Sequence, residues 1–188
     1  SNDKYYLQLD IRKYYYNINH NILRNFISKK ISDERIVNLI MLFVDAVKGI
    51  GLFVGNVLSQ LFGLIYLSPL DHFVKRVLKI KHYIRYVDDF VLVGLEKSEA
   101  HILKSKIESF LKDELNLELS KFRIAKIKQG CNFVGFRTWK RVKFIRKHTL
   151  HNFSKAVKLQ KEASIISILG HAKHSSSHKY LISKIGAA

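Results

Sequence analysis

Apolar and polar positions alternate at the start of the chain and then change to helical spacing. Tyr5 to Asp10 alternates and is rich in aromatic residues, which predicts a strand that ends at an acid. Asn19 is a suitable N-cap for a helix that follows it. The apolar positions of that helix lie on one face and are Ile22, Leu23, Phe26 and Ile27.

The pattern then predicts two further helices separated by an irregular, glycine-containing stretch. Ser32 or Asp33 can cap the first of them. A long helix follows from Asn56 to about Leu78, and Pro69 is expected to end or kink it near Ser68. The apolar positions of the earlier helix are Ile36, Val37, Leu39, Ile40 and Phe43.

The second half of the chain begins with two short apolar strands, residues 82–85 and 90–93, and the few residues between them predict a tight hairpin. Ser98 is expected to cap a helix through Leu115. Strands over 121–128, 132–138 and 141–146 and basic helices over 149–168 and 177–186 complete the prediction. Because strands and helices do not alternate regularly, we expect an α+β fold with helices on one face of an antiparallel sheet.

Composition restricts the class of protein. With 188 residues and 47% hydrophobic residues, the chain can bury a core and is not a disordered polar chain. The single cysteine, Cys131, excludes a disulfide framework and suits a reducing compartment, so we expect a cytoplasmic protein. No signal peptide and no apolar run of about 18 residues is evident, so no membrane partner is expected.

Charge is strongly uneven. The formal net charge is +18, and residues 121–188 hold 16 lysines and arginines against one acid, Glu162. A basic surface of this kind is typical of a protein that binds nucleic acid.

Three acids stand where an apolar pattern does not expect them. Asp88 and Asp89 interrupt the apolar segment from Tyr83 to Leu95, and Asp10 ends the first strand. Paired strands would bring Asp10 beside Asp88, and carboxylates at one spot raise each other's pKa unless a cation lies between them. Oxygen ligands suit Mg²⁺ or Mn²⁺, and two such ions form the clamp used for in-line phosphoryl transfer. A solvent-exposed turn is the alternative interpretation.

These residues belong to a set of five motifs, and with them the chain resembles a reverse transcriptase over nearly its whole length. Tyr86-Val87-Asp88-Asp89 is similar to motif C of that family. Motifs A, B, D and E are matched in order by Leu9-Asp10-Ile11-Arg12-Lys13-Tyr14-Tyr15-Tyr16-Asn17-Ile18, Val54-Gly55-Asn56-Val57-Leu58-Ser59-Gln60, Leu117-Glu118-Leu119-Ser120-Lys121 and Cys131-Asn132-Phe133-Val134-Gly135-Phe136.

Motif B indicates a branch of the family. Many members have a glutamine where this chain has Val54, and the combination with Gly55-Asn56 and a final Ser-Gln resembles the diversity-generating retroelement branch. The tail Gly170-His171-Ala172-Lys173-His174 is also similar to that branch. Group II intron-like, phage-defence and CRISPR-associated reverse transcriptases stay open as alternatives.

The resemblance implies roles for the residues around the acids. Asp10 and Asp88 would bind two Mg²⁺ ions, Asp89 would be a weaker ligand, and the carbonyl of Ile11 would be a further one. Tyr15 would act as the steric gate that rejects a ribose 2′-OH, with Tyr14 as the second candidate. These tyrosines are otherwise core or strand aromatics.

Further positions are implied at the nucleotide and the primer. Gly55 and Asn56 would contact the incoming dNTP, unless they are simply a helix-start pair. Lys121 would neutralise the charge of the leaving pyrophosphate, and Arg123 or Lys126 could do so instead. Alternatively, Lys121 is only a solvent-exposed lysine without a functional role. Contacts to nucleic acid are implied for Tyr86 and for Phe133 and Gly135 of the primer grip, although Phe133 also fits core packing.

The resemblance divides the chain into a palm, residues 1–140, and a basic partial thumb, residues 141–188. The thumb residues that suit phosphate contacts to an RNA/DNA hybrid are Lys140, Arg141, Lys143, Arg146 and Lys147, with Lys155 and Lys158 beyond them. The histidines of this region lack accompanying acids, so no metal site is expected among them.

The implied activity is RNA-templated DNA synthesis with an RNA template, a DNA or RNA primer and dNTPs, together with an accessory RNA-binding protein. Most of the fingers region is expected to be missing, so this piece alone should polymerise poorly. A non-catalytic RNA-binding relative is the rival interpretation.

Overall fold

The computed structural model describes residues 4–185, and the chain divides into two compact units, with the boundary between Ala125 and Lys126. Each unit has its own arrangement of strands and helices. The palm and thumb boundary expected at residue 140 is a functional division, and it stays a prediction.

The first unit contains a four-stranded sheet and four helices. Strands β1 to β4 are Tyr5–Ile11, His82–Tyr86, Asp89–Leu95 and Leu119–Lys126. Helices α1 to α4 are His20–Ser28, Glu34–Val44, Val57–His72 and Lys97–Leu115. The strand order is β2-β3-β1-β4, and β3 is antiparallel to both β1 and β2.

One face of this sheet is covered by helices and the other carries polar side chains. Leu7, Leu9 and Ile11 of β1 are fully or almost fully buried, whereas Gln8 and Asp10 between them are only partly buried. Because side chains alternate along a strand, the two sets lie on opposite faces. The predicted α+β class is confirmed. The core residues that pack with β1 include Phe90, Leu92, Leu67, Leu70, Ile107 and Leu111.

Two of the three predicted helix caps are confirmed. The Asn19 side chain accepts a hydrogen bond from the Ile22 amide, and Asp33 accepts one from the Arg35 amide. The predicted cap of α4 is wrong: the helix begins at Lys97, so Ser98 lies inside its first turn. Glu96 is the capping residue, and its own amide donates to the Glu99 carboxylate at 3.1 Å.

Helix α3 does not end at Pro69. It runs to His72 and continues as a short π-helix, Phe73–Val77. The turns on either side of the proline are fixed by buried side chains, since Leu67, Leu70 and Val74 are all fully buried. The segment Val57–Val77 is long and apolar enough to cross a membrane by length and composition alone. Core helices of soluble proteins meet the same criterion. The sequence of this segment shows no uninterrupted apolar run of about 18 residues.

The apolar residues of α2 are only partly used by the core. Val37, Met41 and Val44 form the buried stripe of this helix. Ile36, Leu39 and Phe43 are also apolar but lie outside this stripe, and their side chains are 47%, 56% and 55% exposed. The reason is that α2 carries apolar residues on nearly all sides, whereas only one helix face can contact the core.

The second unit consists of three short strands followed by three helices within the described residues. Strands β5 to β7 are Cys131–Phe133, Phe136–Thr138 and Lys143–Ile145, and they form an antiparallel sheet in sequence order. Helices α5 to α7 are Lys147–Lys158, Glu162–Ala172 and His178–Ile185.

Left-handed backbone positions explain two errors of the prediction in this unit. The strand expected over 132–138 is a hairpin, because Val134 and Gly135 have φ values of +44° and +81° and form a two-residue turn. The helix expected over 149–168 is split into α5 and α6, because Gln160 between them has φ +49°. The strand expected over 121–128 lies two residues earlier, as β4.

The β5–β6 turn packs closely against α6. The ring of His171 stacks on Phe136 with centroids 4.5 Å apart. A Cβ at Gly135 would lie only 2.9 Å from Cε1 of the same ring. Glycine is therefore required at this position both for its left-handed conformation and for the close approach of His171. Ile145, Phe153, Ala172 and Leu181 form the small core of this unit.

Candidate active site

The loop between β2 and β3 contains only Val87 and Asp88, because Tyr86 pairs directly with Asp89. This confirms the predicted tight hairpin. Val87 has φ +55°, a left-handed conformation that a β-branched residue rarely adopts. The turn is therefore held in a disfavoured conformation at the position of the paired acids.

The pairing of β1 with β3 places Asp10 opposite Asp89. Side chains directly opposite each other in an antiparallel pair share a face, with Cβ atoms about 4.5–5.5 Å apart. Burial raises the pKa of Asp88 above its ordinary value, and the negative charge of Asp10 adds to the rise. Asp10, which is distant from the other two acids in the sequence, thus lies at the same end of the sheet as the Asp88-Asp89 turn.

Two polar side chains that the sequence analysis missed contact these acids. The Gln8 amide donates to both carboxylate oxygens of Asp89, at 3.1 and 3.3 Å. The Ser120 hydroxyl donates to the Asp10 carboxylate and also lies 3.3 Å from the Asp10 carbonyl oxygen. Gln8 had a signal, because it lies two residues before Asp10 on the same strand face. Ser120 had none.

The acids supply a donor set that fits a divalent cation of the magnesium type. All the donors are oxygens, and the pKa of Asp88 is raised by burial and also by the charge of Asp10, both of which disfavour an unpaired carboxylate that a cation would stabilise. Among residues 4–185, no three histidine, cysteine or acidic side chains already converge closely enough to form a metal centre. Ile11 is buried and its side chain has no ligand atom, so the role expected for its backbone carbonyl stays a prediction.

The three consecutive tyrosines have different environments. Tyr14 is 2% exposed, and its hydroxyl donates to the carbonyl of Gly63 in α3. The Tyr15 ring also packs on Gly63, where a Cβ would lie 3.0 Å from its Cε1 atom. Burial raises the pKa of Tyr15, and the charge of Asp88 raises it further. The charge of Asp88 acts on Tyr14 as well, so the tyrosines differ in exposure: Tyr14 is a core residue, Tyr15 is partly buried and Tyr16 is exposed.

Gly55 and Asn56 have clear local roles at the start of α3. Gly55 has φ +98°, and the Asn56 side chain accepts a hydrogen bond from the Leu58 amide at 2.9 Å. The helix-start interpretation accounts for both conformations. Both residues are exposed, and their contact with a nucleotide stays a prediction.

Lys121 is exposed on β4 and follows Ser120 directly. Arg123 is exposed on the same strand, while Lys126 is half-buried. The contact of Ser120 with Asp10 brings this strand to the acids, but it does not select one cation among the three. Tyr86, opposite Asp89, is 59% exposed.

The remaining predicted contacts to nucleic acid lie in the second unit. Phe133 and Gly135 belong to the β5–β6 hairpin. A cleft of about 540 Å³ in this unit has an aromatic and basic lining, made by Ile127, Lys128, Trp139, Lys140, Arg141, Val142 and Phe144. Lys143 is half-buried, and Arg146, Lys147, Lys155 and Lys158 are exposed.

Comparison with protein families gives one match over most of the chain. The family model described as reverse transcriptase (RNA-dependent DNA polymerase) matches residues 1–138. A search of curated proteins finds no match.

Solved structures of telomerase share the fold at low sequence identity. Apo telomerase from Candida tropicalis is 18% identical with a TM-score of 0.59, over 79% of this chain and 33% of that chain. Telomerase from Candida albicans in complex with the TWJ fragment of telomeric RNA is 16% identical with a TM-score of 0.59, over 84% of this chain and 36% of that chain. This chain thus spans little more than a third of the length of these two proteins.

Proposed function

Because the chain belongs to the reverse transcriptase (RNA-dependent DNA polymerase) family, we propose that it carries the catalytic centre for RNA-templated DNA synthesis. The observation that carries the proposal is the strand register that sets Asp10 opposite Asp89, beside Asp88. Acids placed in this way are suited to nucleotidyl transfer, because they could hold the divalent cations that neutralise charge at a phosphate.

The reaction joins a primer to a deoxynucleotide. The primer 3′-oxygen forms a bond to the α-phosphorus of the dNTP, the bond from that phosphorus to the bridging oxygen breaks, and pyrophosphate leaves. Asp10 and Asp88 would hold divalent cations, which activate the hydroxyl and neutralise the phosphates when bound. The Gln8 and Ser120 hydrogen bonds restrict the rotamers of Asp89 and Asp10, so these residues would order the carboxylates.

An RNA template, a DNA or RNA primer and dNTPs are the proposed substrates. The second unit supports nucleic-acid binding through exposed basic residues beside a cleft that contains Trp139 and Phe144. Contacts of this kind go to phosphates and weaken steeply with salt. The RNA complex of the telomerase from Candida albicans supports an RNA partner by analogy of fold.

Primer extension by the protein that contains this chain tests the proposal. With an oligo(dT) primer on poly(rA), we expect incorporation of dTTP in the presence of Mg²⁺ or Mn²⁺ and none after chelation with EDTA. Residues 1–188 alone should extend the primer weakly or not at all, since they span only part of the relatives' length. Absence of extension by the whole protein with both cations would overturn the proposal.

We further propose that the chain belongs to the diversity-generating retroelement branch, with an accessory RNA-binding protein as partner. The support is the sequence Val54-Gly55-Asn56, in which Val54 is 63% exposed and precedes the left-handed Gly55. A template and variable repeat pair in the neighbouring genes would support this branch over phage-defence or CRISPR-associated relatives.

Replacement of Val54 tests the link between this position and copying fidelity. Val54→Gln should lower misincorporation opposite template adenine, because glutamine adds a hydrogen-bonding group that valine lacks. Sequencing of the cDNA measures the change. Val57→Gln, at a residue 77% exposed in the first turn of α3, is the matched control and should leave the error spectrum unchanged. Equal adenine errors in Val54→Gln and the wild type would refute the link.

A further inference from the structure

A partly buried ion pair joins strand β2 to helix α3. Arg85 donates through Nε to Oδ1 of Asp71 at 2.8 Å and through Nη2 to Oδ2 of the same carboxylate. The Arg85 side chain is only 10% exposed, and the Asp71 side chain is 35% exposed. The Tyr83 hydroxyl also donates to Asp71 Oδ1, at 2.7 Å. Asp71 is therefore fixed from two directions.

The same guanidinium reaches the turn that carries Asp88. Its remaining terminal nitrogen, Nη1, donates to the carbonyl oxygen of Val87 at 2.9 Å. Val87 is the residue with the disfavoured left-handed backbone, and its half-buried side chain packs against the core of the first unit. The turn is held by its side chain on one side and by Arg85 on the other.

We propose that Arg85 and Asp71 are positioning residues that hold the Val87 turn so that Asp88 faces Asp10. The proposal rests on the proposed function for its catalytic consequence. Arginine suits this role because its planar fork can bond Asp71 with two nitrogens and Val87 with a third, which a lysine ammonium cannot reproduce. Ion pairs, whether exposed or buried, are weak evidence for stability, so a role in fixing geometry is the stronger explanation for this partly buried pair.

The consequence for catalysis follows from the strain at Val87. When the carbonyl of a β-branched residue in the left-handed region is released, the backbone can relax toward an ordinary conformation. Asp88 is the next residue, so this relaxation would move its carboxylate relative to Asp10. Displacement of a reacting group by about 1 Å can lower a rate by about 10²-fold.

Arg85→Lys and Asp71→Asn test the proposal in the protein that contains this chain. Arg85→Lys keeps the charge and removes the fork, whereas Asp71→Asn keeps the shape and removes the charge that holds Arg85. Each should lower kcat between about tenfold and 10²-fold with little change in the KM for dNTP. Each should also weaken Mn²⁺ binding, followed by electron paramagnetic resonance without nucleotide, by about tenfold.

Two controls separate positioning from simple destabilisation. Tyr66→Phe removes a hydrogen bond from α3 to the carbonyl of Leu115, outside the Arg85–Asp71 cluster, and Ile107→Val shortens a buried side chain of α4. Both control variants should lower the Tm while leaving kcat and the affinity for Mn²⁺ nearly unchanged. The double variant of Arg85 and Asp71 should be no worse than the poorer single variant, since both act through one contact.

The outcomes distinguish this inference from the proposed function. Wild-type kcat and Mn²⁺ binding in both single variants would overturn the positioning role while the polymerase assignment stands. The wild type could fail to extend any primer while Arg85→Lys and Asp71→Asn bind Mn²⁺ more weakly than the control variants do. In that case the proposed function fails and the positioning role stands. If Arg85→Lys does not fold, Asp71→Asn decides by the same two measurements.

Discussion

Asp10→Asn is expected to lower RNA-templated primer extension by the protein that contains this chain about 10³-fold or more. The substitution keeps the size of the side chain and its bond to Ser120, but it removes the negative charge opposite Asp89. Loss of one carboxylate from a divalent-cation site removes several kcal/mol of transition-state stabilisation, and each 1.36 kcal/mol is tenfold in rate. Single-nucleotide incorporation at saturating dTTP and Mg²⁺ measures the effect.

Asp113→Asn is the matched control for this experiment. Asp113 is an exposed acid near the end of α4, and its replacement makes the same chemical change away from the sheet. Both variants should give the wild-type circular dichroism spectrum, and only Asp10→Asn should lose activity. Retention of more than a tenth of the wild-type rate by folded Asp10→Asn would show that Asp10 is not an essential ligand and would contradict the catalytic role proposed for the acids.

Tyr15→Val should open the centre to ribonucleotides. Tyr15 packs against Gly63 and is subject to the charge of Asp88, so as the proposed steric gate its ring would lie beside the sugar of a bound nucleotide. Removing a steric clash of 1–3 kcal/mol changes selectivity by up to roughly 10²-fold. The ratio of kcat/KM for dTTP to that for UTP should fall by about this factor, chiefly because UTP is used faster.

Neighbouring tyrosines provide the controls for this effect. Tyr15→Phe keeps the ring and should keep the preference for dTTP. Tyr14→Phe removes the hydrogen bond to Gly63 and should lower the free energy of unfolding by about 1 kcal/mol without changing sugar selectivity. Unchanged discrimination in Tyr15→Val, or lost discrimination in Tyr14→Phe, would contradict the assignment of the gate to Tyr15.

The sequence predicted those parts of the structure whose signals are local. Asn19 and Asp33 could be recognised as caps because a cap bonds to amides two or three residues away. Asp10, Asp88 and Asp89 could be recognised because charges are unexpected in apolar segments. Arg85 carried the same signal, as a lone cation on a strand of the first unit, but its partner Asp71 is visible only in the fold.

Contacts over long sequence separations account for much of what the sequence did not show. Gln8 and Asp89 are 81 positions apart, and Ser120 and Asp10 are 110 apart, so no spacing rule connects them. The left-handed conformations of Val134 and Gln160 contradict the ordinary preferences of these residue types. Tertiary packing determines the conformation at such positions. The predicted strand over 132–138 and the predicted helix over 149–168 are therefore interrupted in the structure.

The two-residue turn between β2 and β3 also restricts how this part of the chain can evolve. Side chains alternate between the two faces of β3, so one added or deleted residue beyond the turn would exchange the positions of Asp89 and Phe90. The acid would then point into the apolar core and the aromatic ring would point to the open face. Point substitutions can accumulate in this segment, whereas changes in its length should be absent from any lineage that keeps the activity.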